Sequence, residues 1–337
     1  MKVKKRGEKL VCLGIESTAH TFGIGIVDSE GRILADVRSM YKPKAGKGIV
    51  PREASEHHLN KGIEIIKTAL EEAGLKIGDI DVVSFAQGPG LPPCLRVGAA
   101  IARYLALSGN KQLVGVNHPV GHIEIGKLTT GCKDPVILYL SGGNTQIIAY
   151  AEGYYRIFGE TEDIAIGNAL DVVARELKLK SPGGPEIEKL AVGGDYLELP
   201  YGVKGMDLSF SGIVTECKKK IAAGVDPKDV CYSIQEVCFA MLTEVTERAL
   251  AHTGKNEVLL VGGVAANKRM QEMLKTMCKE REAKLYVVDL KYSGDNGGMI
   301  AWLGLLTHIS GEKLSIEKSI VRQKWRTDEV KIIWVGY

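Results

Sequence analysis

Two stretches of this chain repeat one pattern, and the repetition limits what the chain can fold into. The first begins as an apolar strand, Leu10 to Ile15, and runs into Glu16-Ser17-Thr18-Ala19-His20. It returns through Phe22 to Val27, turns at Asp28-Ser29-Glu30-Gly31 and leaves as Ile33 to Val37. The second begins as Val136 to Leu140, stops at Ser141-Gly142-Gly143-Asn144 and returns as Thr145 to Ala149. It then turns at Glu152-Gly153 and leaves as Tyr155 to Phe158. A strand-turn-strand-turn-strand unit at the head of each half predicts a duplicated α/β domain, with a ligand in the cleft between the two turns. Glycines without side chains let a ligand approach main-chain N–H groups, so the tip formed by Gly142 and Gly143 can hold a phosphate. An ordinary β-hairpin is the alternative. Tyr139, polar and directly before the glycine turn, does not fit a plain core strand. No Walker sequence or GxGxxG is present, so a phosphate site would be of this hairpin kind.

At 337 residues the chain is long enough for two domains. Hydrophobic residues make up 45% and 40 residues are glycine, a composition that excludes a disordered chain and implies many tight turns. The formal net charge of +3 is too balanced to announce nucleic-acid binding, although local patches could still provide it. The first ten residues, MKVKKRGEKL, are basic but lack the apolar core of a signal peptide, and no apolar run is long enough to span a membrane. The seven cysteines form no CxxC pair, which favours reduced thiols over a disulfide framework or a cysteine zinc site. A soluble cytoplasmic protein is the expectation.

A lysine-, glycine- and proline-rich loop, Tyr41 to Arg52, leads to a predicted helix over Glu53 to Ala73, with Leu59, Ile63, Ile66 and Leu70 as its apolar face. His57 and His58 read as surface or helix-end residues. Val82 to Ala86 reads as a buried strand and Cys94 to Leu107 as a helix. Leu113 to Val116 is a further strand, running into Asn117-His118-Pro119-Val120-Gly121-His122. Proline favours the first position of a helix, so His118 sits at or just before a helix start and His122 follows one turn on, along the same face. Two such imidazoles can chelate a transition metal; a capping histidine beside an unrelated one is the alternative. A zincin protease needs HExxH, and Pro119 stands where its glutamate would be.

In the second half, Thr161 to Lys178 reads as a helix with a polar edge of Asp163, Asn168 and Asp171. A polar insertion around Met206 to Gly212 shows little periodicity, and Lys218-Lys219-Lys220 reads as a solvated helix face. Glu257 to Val261 is a buried strand ending in a third glycine turn, Gly262 to Asn267. Asp295, in Ser293-Gly294-Asp295-Asn296-Gly297-Gly298 before the apolar helix Met299 to Ile309, is either a helix cap or a ligand.

Read together, GIESTAH, GPGLPPCLRVG, NHPVGHIEIG, YLSGGNTQ, GETEDIAIGNALD, SPGGPEIEKLA, GGVAAN, GDNGGMIAW and RTDEV resemble, in that order, the tRNA N6-adenosine threonylcarbamoyltransferases. The likeness is to their archaeal and eukaryotic branch, the catalytic subunit of the KEOPS complex, formerly described as O-sialoglycoprotein endopeptidases. It runs from Leu10 to about Trp334 and stops short of a kinase segment. The resemblance implies an α/β fold of the actin-like, sugar-kinase and heat-shock-protein ATPase type. Its two duplicated domains would span 1–134 and 135–304, with the segment from about 305 to 337 packing back on the first. It implies one divalent metal, iron with zinc or manganese as alternatives, held by His118, His122, Tyr139 and Asp295. It places an ATP-derived adenylate along Tyr139, Leu140, Ser141, Gly142 and Gly143, in contact with Asp171, Gly184, Glu188 and Asn267.

The implied reaction moves a threonylcarbamoyl group from threonylcarbamoyl-adenylate to N6 of the adenosine 3′ of the anticodon, in tRNAs reading codons that begin with A. No catalytic base is evident. The implied partners are tRNA and the KEOPS subunits, including a small atypical kinase and a small dimerising subunit. Three rival readings are a small-molecule kinase or ATPase on the same fold, a nucleotide-gated scaffold, and the protease. The first would need acidic magnesium ligands and no histidines.

Overall fold

Strands β1 (Val11–Glu16), β2 (Thr21–Asp28) and β3 (Ile33–Met40) form an antiparallel meander in a computed structural model, which describes residues 9–43 and 48–334. The basic residues 1–8, positions 44–47 of the Tyr41–Arg52 loop and positions 335–337 of the C-terminal segment lie outside the described residues. Helix α1 (Pro51–Ala73) leads to β4 (Val82–Gly88), which pairs with β1 in parallel. Helix α2 (Pro92–Ser108) leads to β5 (Gln112–Asn117), parallel to β4. The sheet order is therefore β3-β2-β1-β4-β5. Helix α3 (His118–Thr130) starts directly at the end of β5.

The same arrangement then recurs. Strands β6 (Val136–Leu140), β7 (Thr145–Ala151) and β8 (Tyr154–Glu160) form a second meander. Helices α4 (Ile166–Glu176) and α5 (Gly183–Leu190), a short β9 (Val203–Lys204) and β10 (Asp207–Leu208) hairpin, α6 (Ser211–Ala222) and α7 (Pro227–Thr253) follow. Then come β11 (Glu257–Val261), α8 (Lys268–Glu280), β12 (Lys284–Val287) and the one-turn α9 (Leu290–Ser293). The second sheet, β12-β11-β6-β7-β8, repeats the order and strand directions of the first. The duplication read from the two hairpins is thus the architecture observed. The chain divides into two compact units, Met1–Leu128 with Asp295–Tyr337, and Thr129–Gly294.

Helix α10 (Gly297–Ile309) belongs to the first unit and is apolar nearly all round, as a buried helix should be. It lies on β1 and β2 main chain to main chain. A Cβ on Gly14 would stand 2.1 Å from the Ala301 nitrogen, and one on Gly25 2.1 Å from the Gly298 nitrogen. Only glycine permits that approach.

Four expectations are corrected. Helix α1 buries Ala54, His58, Gly62, Ile65 and Ala69, while Leu59 is 61% and Ile63 70% exposed. Of the apolar face expected at Leu59, Ile63, Ile66 and Leu70, Ile66 and Leu70 pack against the core, while Leu59 and Ile63 turn to solvent because the small residues allow close packing. A Cβ on Gly62 would already lie 3.2 Å from Ile101 Cδ1. His58, expected as a surface or helix-end residue, is fully buried, its Nε2 3.1 Å from the Ala19 carbonyl and its ring 5.5 Å from that of Phe22.

The expected helix Thr161–Lys178 starts only at Ile166. The Asp163 carboxylate instead holds the preceding loop by accepting from the Ser209 hydroxyl and from the Phe210 and Ser211 amides. The insertion expected to be irregular carries the β9–β10 hairpin and, from Ser211, helix α6.

Candidate functional site

In the first unit, three ligand-type side chains from distant points of the sequence converge. His118 and His122 lie one turn apart at the start of α3, and their rings meet edge to face at 4.8 Å. Asn117 at the end of β5 caps that helix, its Oδ1 accepting from the Val120 amide at 3.1 Å. Asp295 Oδ1 lies 3.4 Å from His118 Nε2 and 3.3 Å from His122 Nε2. These separations are long for charge-assisted hydrogen bonds. These two separations match the edge of a tetrahedral metal shell, roughly 3.4 Å for bonds of about 2.1 Å, while the three ligand atoms together span up to 4.8 Å, wider than that edge. The donor chemistry, two imidazoles and a carboxylate whose ligand atoms lie within 4.8 Å of one another, fits a divalent transition metal.

The surroundings fix each ligand. Glu16, at the end of β1, is fully buried, and its Oε2 accepts from His118 Nδ1 at 2.8 Å. That bond leaves the Nε2 lone pair of His118 facing Asp295 and His122. The other carboxylate oxygen, Oε1, accepts from the Thr18 amide at 2.7 Å and from the Thr18 hydroxyl, so Glu16 is itself held. Burial depresses the His122 pKa against the opposing pull of Asp295 and keeps the imidazole neutral, the form that binds metal.

Asp295 is not the helix cap. Asn296 caps α10 by accepting from the Met299 amide at 2.8 Å. Asp36, on β3, accepts from the Gly297 and Gly298 amides at 3.0 and 3.1 Å. With the helix end satisfied by these two, the Asp295 carboxylate faces the histidines, and Arg38 donates to its backbone carbonyl at 3.1 Å. Glu124, on α3, accepts from the Trp334 indole at 2.9 Å, which pins the C-terminal segment to the helix that bears both histidines.

The second unit holds the remaining predicted residues. Tyr139 is the penultimate residue of β6, fully buried and paired with Gln146 across the hairpin. The turn after Leu140 is closed by Ser141: its amide donates to the Asn144 carbonyl, and its hydroxyl accepts from the Asn144 amide at 3.0 Å. Neither Gly142 nor Gly143 has a left-handed φ, and a Cβ at either would meet nothing within 4 Å. Neither backbone angle nor crowding therefore demands glycine at either position, and the Gly143 amide itself donates to the Ser141 hydroxyl at 3.3 Å.

Helix α4 begins against this turn, with the Gly167 amide donating to the Ser141 carbonyl at 3.2 Å. One turn along, Asp171 accepts from the Gly183 amide at 2.6 Å, fixing the start of α5 and with it Gly184. Glu188 on α5 accepts from the Lys268 amide at 2.7 Å. Asn267 caps α8 through Oδ1 and donates through Nδ2 to the buried Gln235 at 2.8 Å. Gly262, with φ of 91°, brings the third glycine turn onto the Leu140 carbonyl.

The sequence profile of the tRNA N6-adenosine threonylcarbamoyltransferases matches residues 32–302. The chain belongs to that family. It is 56% identical over 327 residues to the tRNA N6-adenosine threonylcarbamoyltransferase of Thermococcus sibiricus, covering 96% of this chain and 100% of that one. It is 54% identical over 327 residues to the probable bifunctional tRNA threonylcarbamoyladenosine biosynthesis protein of Methanobrevibacter smithii. The match covers 97% of this chain but only 61% of that relative, so the chain spans less than two thirds of the bifunctional proteins it resembles. Among solved structures, T. kodakarensis HypF aligns with a TM-score of 0.62 at 16% identity, covering 88% of this chain and 48% of that one. The ROK hexokinase of Thermus thermophilus aligns at 0.50 and 15%, covering 90% and 100%. Both share the fold alone, and it is the fold expected from the family resemblance.

In this threonylcarbamoyltransferase family member the predicted His118, His122 and Asp295 come together, while Glu16, Asp36 and Gln235, which hold their surroundings, were not singled out from the sequence. The one available signal for Glu16 was a charged residue closing an otherwise apolar strand.

Proposed function

We propose that this chain transfers the threonylcarbamoyl group from threonylcarbamoyl-adenylate to N6 of the adenosine 3′ of the anticodon, in tRNAs reading codons that begin with A. In this step N6 attacks the carbamoyl carbon, a C–N bond forms, the C–O bond to the adenylate phosphate breaks, AMP leaves with the electron pair and N6 gives up a proton. The observation that carries the reading is the convergence of His118, His122 and Asp295, with Glu16 behind His118, in a chain of this family. A divalent ion at these residues, iron with zinc or manganese as alternatives, would supply Lewis-acid polarisation of the carbamoyl carbonyl. Tyr139 stays in the proposed ligand set on the resemblance alone.

The chain's own residues position and hold charge. Glu16 orients His118, Asp36 and Asn296 cap α10 so that Asp295 faces the histidines, and the Gly142–Gly143 turn, bare of side chains, would let the adenylate phosphate approach its main chain. Leu140 and Ser141 shape that turn, and Asp171, Gly184, Glu188 and Asn267 complete the adenylate subsite. The exposed Leu59 and Ile63 on α1, with Tyr104 and Leu107 (70% and 65% exposed) on the adjoining α2, suit a protein partner. The KEOPS subunits, a small kinase and a small dimerising subunit among them, are the partners we propose, and the cytoplasm is the compartment. None of the seven cysteines is in a disulfide, and among the described residues no helix is long and apolar enough to cross a membrane.

The test is transfer of labelled threonine to unmodified tRNA in the presence of bicarbonate, ATP, a threonylcarbamoyl-adenylate synthase and the partner subunits. Label should reach tRNA with the wild type and fall by at least about 10³-fold with His122→Ala, while the variant stays folded. Label that never reaches tRNA with any combination of partners would sink the reading.

A further inference from the structure

The adenosine acceptor must arrive with the phosphates of its neighbouring nucleotides, yet the net charge of the whole chain is only +3. The basic charge that meets those phosphates must be concentrated locally. Residues 318–326, K-S-I-V-R-Q-K-W-R, carry four basic side chains and no acidic one. This segment has no regular secondary structure and is instead strapped to the first unit through its own backbone. Arg103 Nε donates to the Ser319 hydroxyl at 2.7 Å. Gln87 Nε2 donates to the Ile320 carbonyl at 2.7 Å, and the Arg322 amide donates to the Gln87 carbonyl at 2.7 Å. The Gly90 amide donates to the Gln323 carbonyl at 3.3 Å, and Asn117 Nδ2 to the Trp325 carbonyl at 3.1 Å.

These anchors leave the cationic side chains outside. Lys318, Arg322, Lys324 and Arg326 are all exposed. Lys318 and Lys324 make no ion pair among the described residues. Arg322 and Arg326 pair with Glu329 and Asp328 at 3.2 and 3.1 Å in exposed contacts. Such pairs contribute little net stability, so phosphate oxygens can share the same cations. The Arg322 guanidinium stacks over the Trp325 ring at 4.0 Å, which holds its planar donors in one orientation.

Place matters as much as charge. Asn117, which holds Trp325, is the residue before the ligand His118. Gln323 is held by the loop whose Leu91 amide donates to the Thr18 carbonyl at 2.8 Å, and Thr18 is the residue that secures Glu16. The strap is thus tied on both sides to the residues that build the metal centre.

We propose that Arg322, Lys324 and Arg326, with Trp325 as the platform for Arg322, form a phosphate-binding surface for the tRNA substrate beside the metal centre. The inference rests on the transferase reading and specifies where its RNA lies. The test uses the full chain with its partner subunits and unmodified tRNA, measuring affinity by filter binding across a salt series together with kcat and KM for transfer. The combined Arg322→Gln, Lys324→Gln, Arg326→Gln variant should bind tRNA at least about tenfold more weakly, with a salt slope smaller by about 2 to 3. It should raise KM for tRNA with kcat nearly unchanged. Lys324→Glu alone, at an exposed side chain that folding does not use, should weaken binding several-fold. Replacing Lys218, Lys219 and Lys220 on α6 by glutamine should do neither.

Wild-type affinity and salt slope in the variants, or an equal loss from the α6 lysines, would overturn the proposal and leave the transferase intact. So would retained tRNA affinity with loss of a partner subunit, which would make the strap a contact for an acidic protein surface. A wild type that modifies no tRNA would instead defeat the reading on which the proposal rests.

Discussion

The two units share a sheet order but back their sheets in opposite ways. In the second, α7 covers β6 and β7 with large side chains, Phe239, Met241 and Leu242 among a core that includes Leu138, Leu140 and Ile147. In the first, α10 covers β1 and β2 with almost no side chain between the main chains, through Gly14, Gly25 and Gly297. The hairpin turns differ in the same sense. The first unit's turn is buried and bonded to itself through Glu16 and Thr18, and the second's presents bare glycines to open space. One scaffold has been used once to fix side-chain ligands and once to leave a turn bare of side chains.

The sharpest way to break that contrast is Gly25→Val. The added carbons would drive into the Gly298 nitrogen, so the variant should lose about 3 kcal/mol or more, read as a fall in denaturant midpoint. A Leu242→Ala change behind the second sheet should cost a similar 2–5 kcal/mol through the opposite defect, a cavity. A Gly25→Val protein as stable as the wild type would disprove the close approach.

The next effect is set by pH. Burial, reinforced by the neighbouring His57, lowers the His58 pKa from 6.5 to about 4, so His58 is neutral in the folded first unit and protonates more readily when unfolded. Its contribution is therefore complete above pH 6.5 and lost as the pH falls toward 4, by about 3 kcal/mol at most. A His58→Gln variant should lose less stability between pH 7 and pH 4 than the wild type. Parallel pH profiles would count against a buried neutral His58.

The turns themselves can be compared last. Glu16→Gln should reduce metal affinity or transfer by roughly 10–100-fold, measured by metal content and the transfer assay, with little change in fold. Gly142→Ala should change stability by less than about 0.5 kcal/mol, because the site is open and its φ ordinary, and yet weaken adenylate binding. A stability loss at Gly142 larger than the loss at Gly25 would invert the comparison.

Much of this was legible in the sequence because it is local. The two meanders, the HxxxH at a helix start and the glycine turns each occupy a few consecutive residues, and their order in the chain carried the family resemblance. The contacts that finish the site are not local. Glu16 reaches His118 across 102 residues, and Asp36 reaches Gly297 across 261. No periodicity joins such positions. Helix α1 was misread for a different reason: hydropathy ranks Leu59 and Ile63 above Gly62 and Ala69, whereas close packing selected the small residues. Asp295, a cap or a ligand by sequence, is not the cap, because Asn296 and Asp36 satisfy the helix end.

The glycine contact beneath α10 bears on the proposed metal site in one further way. Asp295 stands two residues before Gly297, and His118 follows directly from β5 in the same sheet. The gap across which the ion would sit is therefore gauged by peptide planes that touch, and touching backbones have no rotamers with which to adjust. Where side chains line such a gap, a larger ion can be admitted by repacking. Here, were an ion bound, a change in its radius would have to be absorbed by the rotamers of His118, His122 and Asp295, because the backbone beneath Asp295 cannot yield.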